Sequence, residues 1–194
     1  MLEQSNRSEV SALPEDFYTR TKGRLRERIA GELRSADRVL ELGCGSCELA
    51  GFLAEKNGQH VIGVDISDGG FPDSPLRGEG VECHKADAGK LKFLPEGAVD
   101  AVVSVHALHE MEEPVEVLGE ANRVLRAGGE ILVVDFPKGS LAQRLWNEDY
   151  YATCEVGQML RRAGFLRVKS RRIARKQLTW ARGFKPARRR EGRR

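Results

Sequence analysis

Nine residues, Val-Leu-Glu-Leu-Gly-Cys-Gly-Ser-Cys at positions 39–47, restrict the fold of this chain more than any other stretch. The apolar run 39–42 reads as a short buried strand, Gly43 to Gly45 as a tight turn, and Ser46 onward as the start of a helix. Glycine lets the backbone come close to a ligand, and a helix start offers unpaired N–H groups. Asp65 stands twenty residues beyond Gly45, at the end of a second apolar run, 60–64. A carboxylate at that separation can take both hydroxyls of a ribose lying across the turn.

The local charge narrows the choice of nucleoside. A dinucleotide fingerprint needs a third glycine where Glu48 stands, and an acidic side chain in the first helical turn repels a pyrophosphate. Glu41, just ahead of the turn, suits a ligand that carries an ammonium and a sulfonium. Both features favour S-adenosylmethionine over NAD or FAD.

Further motifs follow in order. They are Ala86-Asp87-Ala88 with Leu94-Pro95, the run Val99-Asp-Ala-Val-Val-Ser104, and Arg123-Val-Leu-Arg-Ala-Gly-Gly-Glu-Ile-Leu-Val-Val-Asp135. Together with Glu41-Leu-Gly-Cys-Gly45, this series resembles the motifs of class I S-adenosylmethionine-dependent methyltransferases across residues 18–184. The closing Arg182-Gly-Phe-Lys-Pro186 is similar to the end of the ubiquinone/menaquinone C-methyltransferase-like group. The resemblance implies an α/β fold, a doubly wound, Rossmann-like, seven-stranded, mostly parallel sheet with an antiparallel last strand. It also implies cofactor contacts at Glu41, Gly43, Cys44, Gly45, Asp65 and Ile66, with an adenine contact at Asp87 and Ala88.

The chain divides into a flexible arm (1–13), one methyltransferase domain (14–185) and a basic, disordered tail (186–194). Helix signals cover 14–34, and a helix over 46–56 is stopped by Asn57-Gly58. Residues 67–80 hold four glycines with Pro72 and Pro75, which excludes the usual helix there. Strands are expected at 38–42, 60–65, 81–85, 99–104 and 130–136, with a helix over 113–127 stopped by Gly128-Gly129. Residues 165–173 and 177–184 form the closing hairpin of the resembled fold, its turn at 174–176 opening toward the active-site end.

Ligands of parallel sheets bind beyond the carboxyl ends of the strands, so Ser104, His106 and His109 are expected at that mouth. Ser104 joins the candidate cofactor contacts. Either histidine can serve as a base, since neutral imidazole titrates near working pH. Methyl transfer from a sulfonium, an activated donor, gains much of its rate from alignment alone. Trp146, Tyr150 and Tyr151, just after the fifth strand, are candidates for a substrate-pocket wall or for plain core packing. Cys44-Gly-Ser-Cys47 has metal-ligand spacing, but no second ligand pair accompanies it, and no metal is expected.

With 194 residues and 40% hydrophobic content, the chain suits one domain with a real core. No apolar run approaches a membrane span, residues 1–10 lack the apolar core of a signal peptide, and four cysteines without repeated spacing suggest reduced thiols and a cytoplasmic setting. Residues 161–194 hold 15 Lys/Arg and one acidic residue, a charge of +14, which leaves −11 for the rest of a chain whose total is +3. That asymmetry points to an anionic partner, or to a solvated strand face and tail. The expected activity is S-adenosylmethionine-dependent methylation of a small molecule, with an acidic acceptor suggested by the basic hairpin. Two alternatives stand beside it: RNA or protein methylation through the basic C-terminal segment, or a non-catalytic cofactor-binding subunit. After the fourth strand the chain has Ser104-Val-His-Ala107, not the Asn/Asp-Pro-Pro-aromatic signature of methyltransferases that act on amino groups of nucleobases and glutamine.

Overall fold

In the computed structural model, which describes residues 16–72 and 80–187, seven strands form one sheet. Chain order is α1 (Phe17–Leu33), β1 (Arg38–Leu42), α2 (Glu48–Asn57), β2 (His60–Asp65), β3 (Val81–Lys85), β4 (Val99–Val105), a 3-10 turn (Leu108–Glu110) and α3 (Pro114–Val124). Then come β5 (Leu125–Asp135), α4 (Leu141–Trp146), α5 (Thr153–Arg162), β6 (Leu166–Ile173) and β7 (Leu178–Phe184). Sheet order is β3-β2-β1-β4-β5-β7-β6; β7 runs antiparallel to both neighbours and every other pair is parallel. This is the expected doubly wound sheet. The chain reverses its winding between β1 and β4, the switch point at which such sheets open a ligand crevice.

Continuous apolar runs make the central strands. Val39, Leu40 and Leu42 are fully buried, as are Val102, Val103 and the β5 residues 131–134, because helices cover both faces. Ile29, Leu33, Leu53 and Val103 pack on the α1/α2 face, and Leu40, Leu118, Val133 and Leu160 on the α3/α5 face.

Several boundaries differ from expectation. The helix ahead of β5 ends at Val124, not at Gly128-Gly129, because Leu125 already pairs with Val99 and the β4–β5 register shifts before Ala101 pairs with Glu130. Helix α2 starts two residues later than predicted, since Cys47 sits in the left-handed region at φ 55°. Gly58, at φ 68°, caps its end by donating its N–H to the Ala54 carbonyl at 2.9 Å. No helix spans residues 67–72; most of the remainder of that predicted loop (73–79), the arm 1–13 and the tail from 188 lie outside the described residues. The 174–176 turn lies where expected, its Ala174 packed against the cluster of Phe17 and Leu141, as is Tyr18.

Candidate functional site

The β1–α2 turn is tied to β2. The Gly43 and Cys44 N–H groups donate to the Val64 carbonyl at 2.8 and 3.1 Å. Asp65, at the tip of β2, accepts from the Gly45 N–H at 2.9 Å and from the Ser67 N–H at 3.0 Å. The two glycines have different reasons to be glycine. Gly43 has φ +70°, and a Cβ there would lie 2.3 Å from the Ala107 Cβ, so the loop leaving β4 excludes any side chain. Gly45 has φ +50° and open space where its Cβ would point, which leaves its backbone accessible.

Two cavities of about 450 Å³ each flank Gly43. The first is lined by Glu41, Gly43, Cys44 and Gly45 on one side, and by Tyr18, His106, Phe136 and Trp146 on the other. The second is lined by Asp65, Ile66, Asp87 and Ala88, with Ala107, Met111 and Glu113 opposite. Eight of the nine predicted cofactor residues therefore border one or other of the two cavities, which meet at Gly43. The ninth, Ser104, is buried on β4 with its hydroxyl unpartnered among the described residues.

Glu41 is 4% exposed, and its Oε2 has no hydrogen-bond partner among the described residues. Burial pushes its carboxyl up to about 8, against the weaker pull of a backbone hydrogen bond from Ala50 and the Arg26 charge. A carboxyl left in that state calls for a cation to complete it. Asp87 caps its own turn, accepting from the Gly89 N–H at 2.8 Å. That occupies one oxygen and leaves the other 3.5 Å from Lys90.

The two histidines differ sharply. His106 sits at φ 55°, a sparsely populated region for a residue with a Cβ, and its ring stacks on Phe136 at 4.1 Å. Its Nε2 is buried without a partner among the described residues, and burial lowers its pKa to about 4, so the ring is neutral at pH 7. His109 borders neither cavity. Its Nδ1 lies 2.8 Å from Asp135, whose carboxylate also accepts the His109 and Phe136 N–H groups at 3.1 and 2.8 Å. Burial opposes the His109 charge, but the hydrogen bond to Asp135 and the charges of Asp135, Glu110 and Glu148 outweigh it and raise its pKa.

Of the aromatic candidates, Trp146 lines the first cavity and is 48% exposed. Tyr150 is buried beside it, its ring 5.4 Å from Phe136 and its hydroxyl donating to Glu148 at 2.6 Å, and borders neither cavity. Tyr151 packs on the opposite, α3/α5 face of the sheet. The two tyrosines follow each other in the extended segment between α4 and α5 and pack on opposite faces of the sheet, so they do not share one wall.

Sequence reasoning passed over Lys22 and Arg26, and took Phe136 only as the end of the fifth strand, at the mouth of the sheet. Phe136 is the hub of the aromatic wall, within 5.0 Å of Tyr18 and 5.1 Å of Trp146; its place one residue past a strand end was the available signal. Lys22 and Arg26, one turn apart on α1, both bind Glu48 and hold its carboxylate below the usual range. Glu48 is thus neutralised, so its repulsion of a pyrophosphate is weaker than the sequence implies, and Glu41 carries the charge preference instead.

The cysteines depart from the expectation of four reduced thiols. Cys47 and Cys83 are joined in a disulfide, with the Cys44 sulfur 3.3 Å from that of Cys47. The sulfurs meet over Gly63 of β2, where a Cβ would lie 2.9 Å from one and 3.0 Å from another. Residue spacing along the chain could not reveal this, because β3 reaches the turn only through its pairing with β2.

The geometry agrees with what the comparisons find. Residues 40–133 match the family described as "Methyltransferase domain". This segment is a methyltransferase domain. The chain is 36% identical over 121 residues to 27-O-demethylrifamycin SV methyltransferase of Amycolatopsis mediterranei, covering 58% of this chain and 44% of that one. It is 34% identical over 109 residues to demethylmenaquinone methyltransferase of Thermus thermophilus, covering 54% and 49%. The chain thus spans about half the length of these curated relatives. Its fold matches the crystal structure of a SAM dependent methyltransferase from Aquifex aeolicus with a TM-score of 0.66, at 22% identity over 82% of this chain and 89% of that one. The class I S-adenosylmethionine-dependent methyltransferase resemblance carried by the sequence motifs is borne out in both sequence and fold.

Proposed function

We propose that the protein binds S-adenosylmethionine across the β1–α2 turn and transfers its methyl group to a small molecule held in the first cavity. The observation that carries this reading is the buried Glu41 carboxyl with an unpartnered oxygen, which an ammonium would complete. The neighbouring groups fit the rest of the cofactor. Arg26 and Lys22 border the same cavity as donors for a carboxylate, and Asp65 keeps lone pairs free for ribose hydroxyls. Ile66, 72% exposed, and Ala88 offer apolar contact to a base in the second cavity, beside Asp87.

When bound, the cofactor supplies a methyl group on a sulfonium, already activated for transfer. The chain's part is to align the acceptor and exclude water. Tyr18, Phe136 and Trp146 give the first cavity an aromatic wall that suits a flat, largely apolar acceptor. His106 stays neutral at pH 7, and its Nε2 can accept a hydrogen bond from an acceptor hydroxyl or donate one, depending on tautomer. His109 acts at one remove: held by Asp135, it fixes the turn after β4 and the Phe136 ring against which His106 stacks.

The small-molecule acceptors in the relatives' names support this class of substrate, as does the aromatic lining. Titrating the full chain with S-adenosylmethionine, then following S-adenosylhomocysteine release with a panel of hydroquinones and phenols, tests it. Binding with product formation for a flat hydroxylated acceptor is expected. Absence of binding overturns the cofactor reading, and binding without product for any of the panel overturns the acceptor class.

A further inference from the structure

The face of the hairpin that shares a side with α1 has no counterpart in the methyl-transfer chemistry. Helix α1 lies over β7: Arg28 stacks on Trp180 with its guanidinium carbon 4.6 Å from the ring centroid, and Glu32 pairs with Arg182. Strand β6 continues the sheet beyond α1. Register places Lys169 beside Arg182 and Arg171 beside Trp180, so these side chains share the α1 face. Arg167, next to the β6 register shift, stacks over Phe184 at 4.5 Å on the same side. Arg20, Arg24 and Arg28 recur every fourth residue and form a stripe along the α1 flank that Arg28 turns toward the hairpin.

The result is a step with a basic wall and a basic floor. Arg20, Arg24 and Arg28 form the wall, and Arg167, Lys169 and Arg171 form the floor; all six are exposed. Among the described residues none of the six makes an ion pair. Three acidic groups nearby are already engaged, Glu27 with Lys56 and Glu32 and Glu130 with Arg182; Asp16, at the start of α1, is exposed. Lys169 and Arg171, alternate positions of a regular strand beyond the register shift, lie ~6.5 Å apart, and every fourth residue of a helix ~6 Å apart. Both rows thus repeat at the scale of consecutive phosphates along an RNA strand.

We propose that this step is a binding surface for the phosphate backbone of single-stranded RNA. A linear, concave double row of guanidinium and ammonium groups fits a strand better than a plane. Among the described residues the face carries one exposed large apolar residue, Leu166; the others, Ile66, Phe93, Leu145 and Trp146, lie on other elements, so these residues supply no apolar wedge of the kind that seats a protein in a lipid surface. Arginines stacked on aromatic rings are held in place, which reduces the ordering cost of pairing with phosphates. The inference goes beyond the proposed methyl transfer and does not depend on it.

The test measures binding of the full chain to a fluorescent single-stranded oligoribonucleotide between 50 and 300 mM salt, with phosphatidylglycerol vesicles as a second probe. The triple variant Arg167→Gln/Lys169→Gln/Arg171→Gln removes three contacts. Each single-strand contact contributes ~0.7 to the slope of log affinity against log salt, so the slope should fall by about 2 and the affinity at 150 mM by roughly 50-fold. Any contribution from the basic tail is common to both proteins and cancels. Arg20→Gln/Arg24→Gln provides an independent reading from the wall, with a slope change of about 1.4, should the strand variant fail to fold. Cofactor affinity measured on the same samples separates this inference from the proposed function. Unchanged slopes in both variants, no RNA binding by the wild type, or binding to vesicles without binding to RNA would overturn the proposal.

Discussion

Replacing Glu41 by glutamine tests the electrostatic core of the site. In the free protein its carboxyl titrates near 8, so at pH 7 it is about nine-tenths protonated. An ammonium placed beside it lowers that value by ~1–3 units, and binding should therefore release about 0.4–0.9 proton per cofactor at pH 7. Affinity should rise with pH up to about 8 for the same reason. Glutamine keeps the shape but cannot ionise. It forfeits a charge-assisted hydrogen bond of ~1.5–3 kcal/mol, which corresponds to about a 10- to 140-fold weaker affinity, and it abolishes the proton release. Calorimetry in buffers of different ionisation enthalpy reads both quantities at once. The free protein responds in the opposite sense. A carboxyl raised from 4.5 to about 8 by burial stabilises the fold fully below pH 4.5, and that contribution is lost as pH rises through 8. The variant should accordingly lose less thermal stability than the wild type between pH 5 and pH 9. An unaltered affinity together with an unaltered proton count would refute the assignment of an ammonium to Glu41.

Three further outcomes follow from the same geometry. Asp65→Ala should abolish tight cofactor binding in calorimetry, because two ribose hydrogen bonds of ~1.5–3 kcal/mol each are lost and the Gly45 N–H loses its acceptor. His106→Ala should leave cofactor affinity within about threefold and lower kcat; a wild-type rate would remove His106 from the chemistry. His109 has a raised pKa, so its contribution to stability is complete below pH 6.5 and is lost as pH climbs through the raised value. Asp135→Asn should flatten that part of the melting-temperature profile, and an unchanged profile would show that the pair does not titrate as argued.

The sequence was most legible where a local pattern carries its own cause. The boundaries of β1, β2 and β3 were readable to the residue: each is a short apolar or β-rich run, with β1 closed by Gly43, β2 by its acidic tip Asp65, and β3 entered from Gly80. The same holds for the glycine turn after β1, where Gly43 must be glycine because Ala107 stands against it. What stayed hidden depends on tertiary pairing. Gly128-Gly129 looks like a helix stop, yet β5 begins earlier because Leu125 finds Val99 on the neighbouring strand. Cys83 meets Cys47 only through the β2–β3 ladder. Tyr150 and Tyr151 were equivalent as sequence, but the course of the segment between α4 and α5 sends one to each side of the sheet. Lys22 and Arg26 were unremarkable in an arginine-rich helix until α1 was laid over the glycine turn, where they meet Glu48.

A crystal structure of the full chain with S-adenosylhomocysteine is the most direct test of the whole account. It should show the amino group against Glu41, both ribose hydroxyls on Asp65 and the adenine between Ile66 and Ala88. A crevice that stays empty at saturating ligand, or a nucleoside lying in the reverse direction with its sugar away from Asp65, would contradict it.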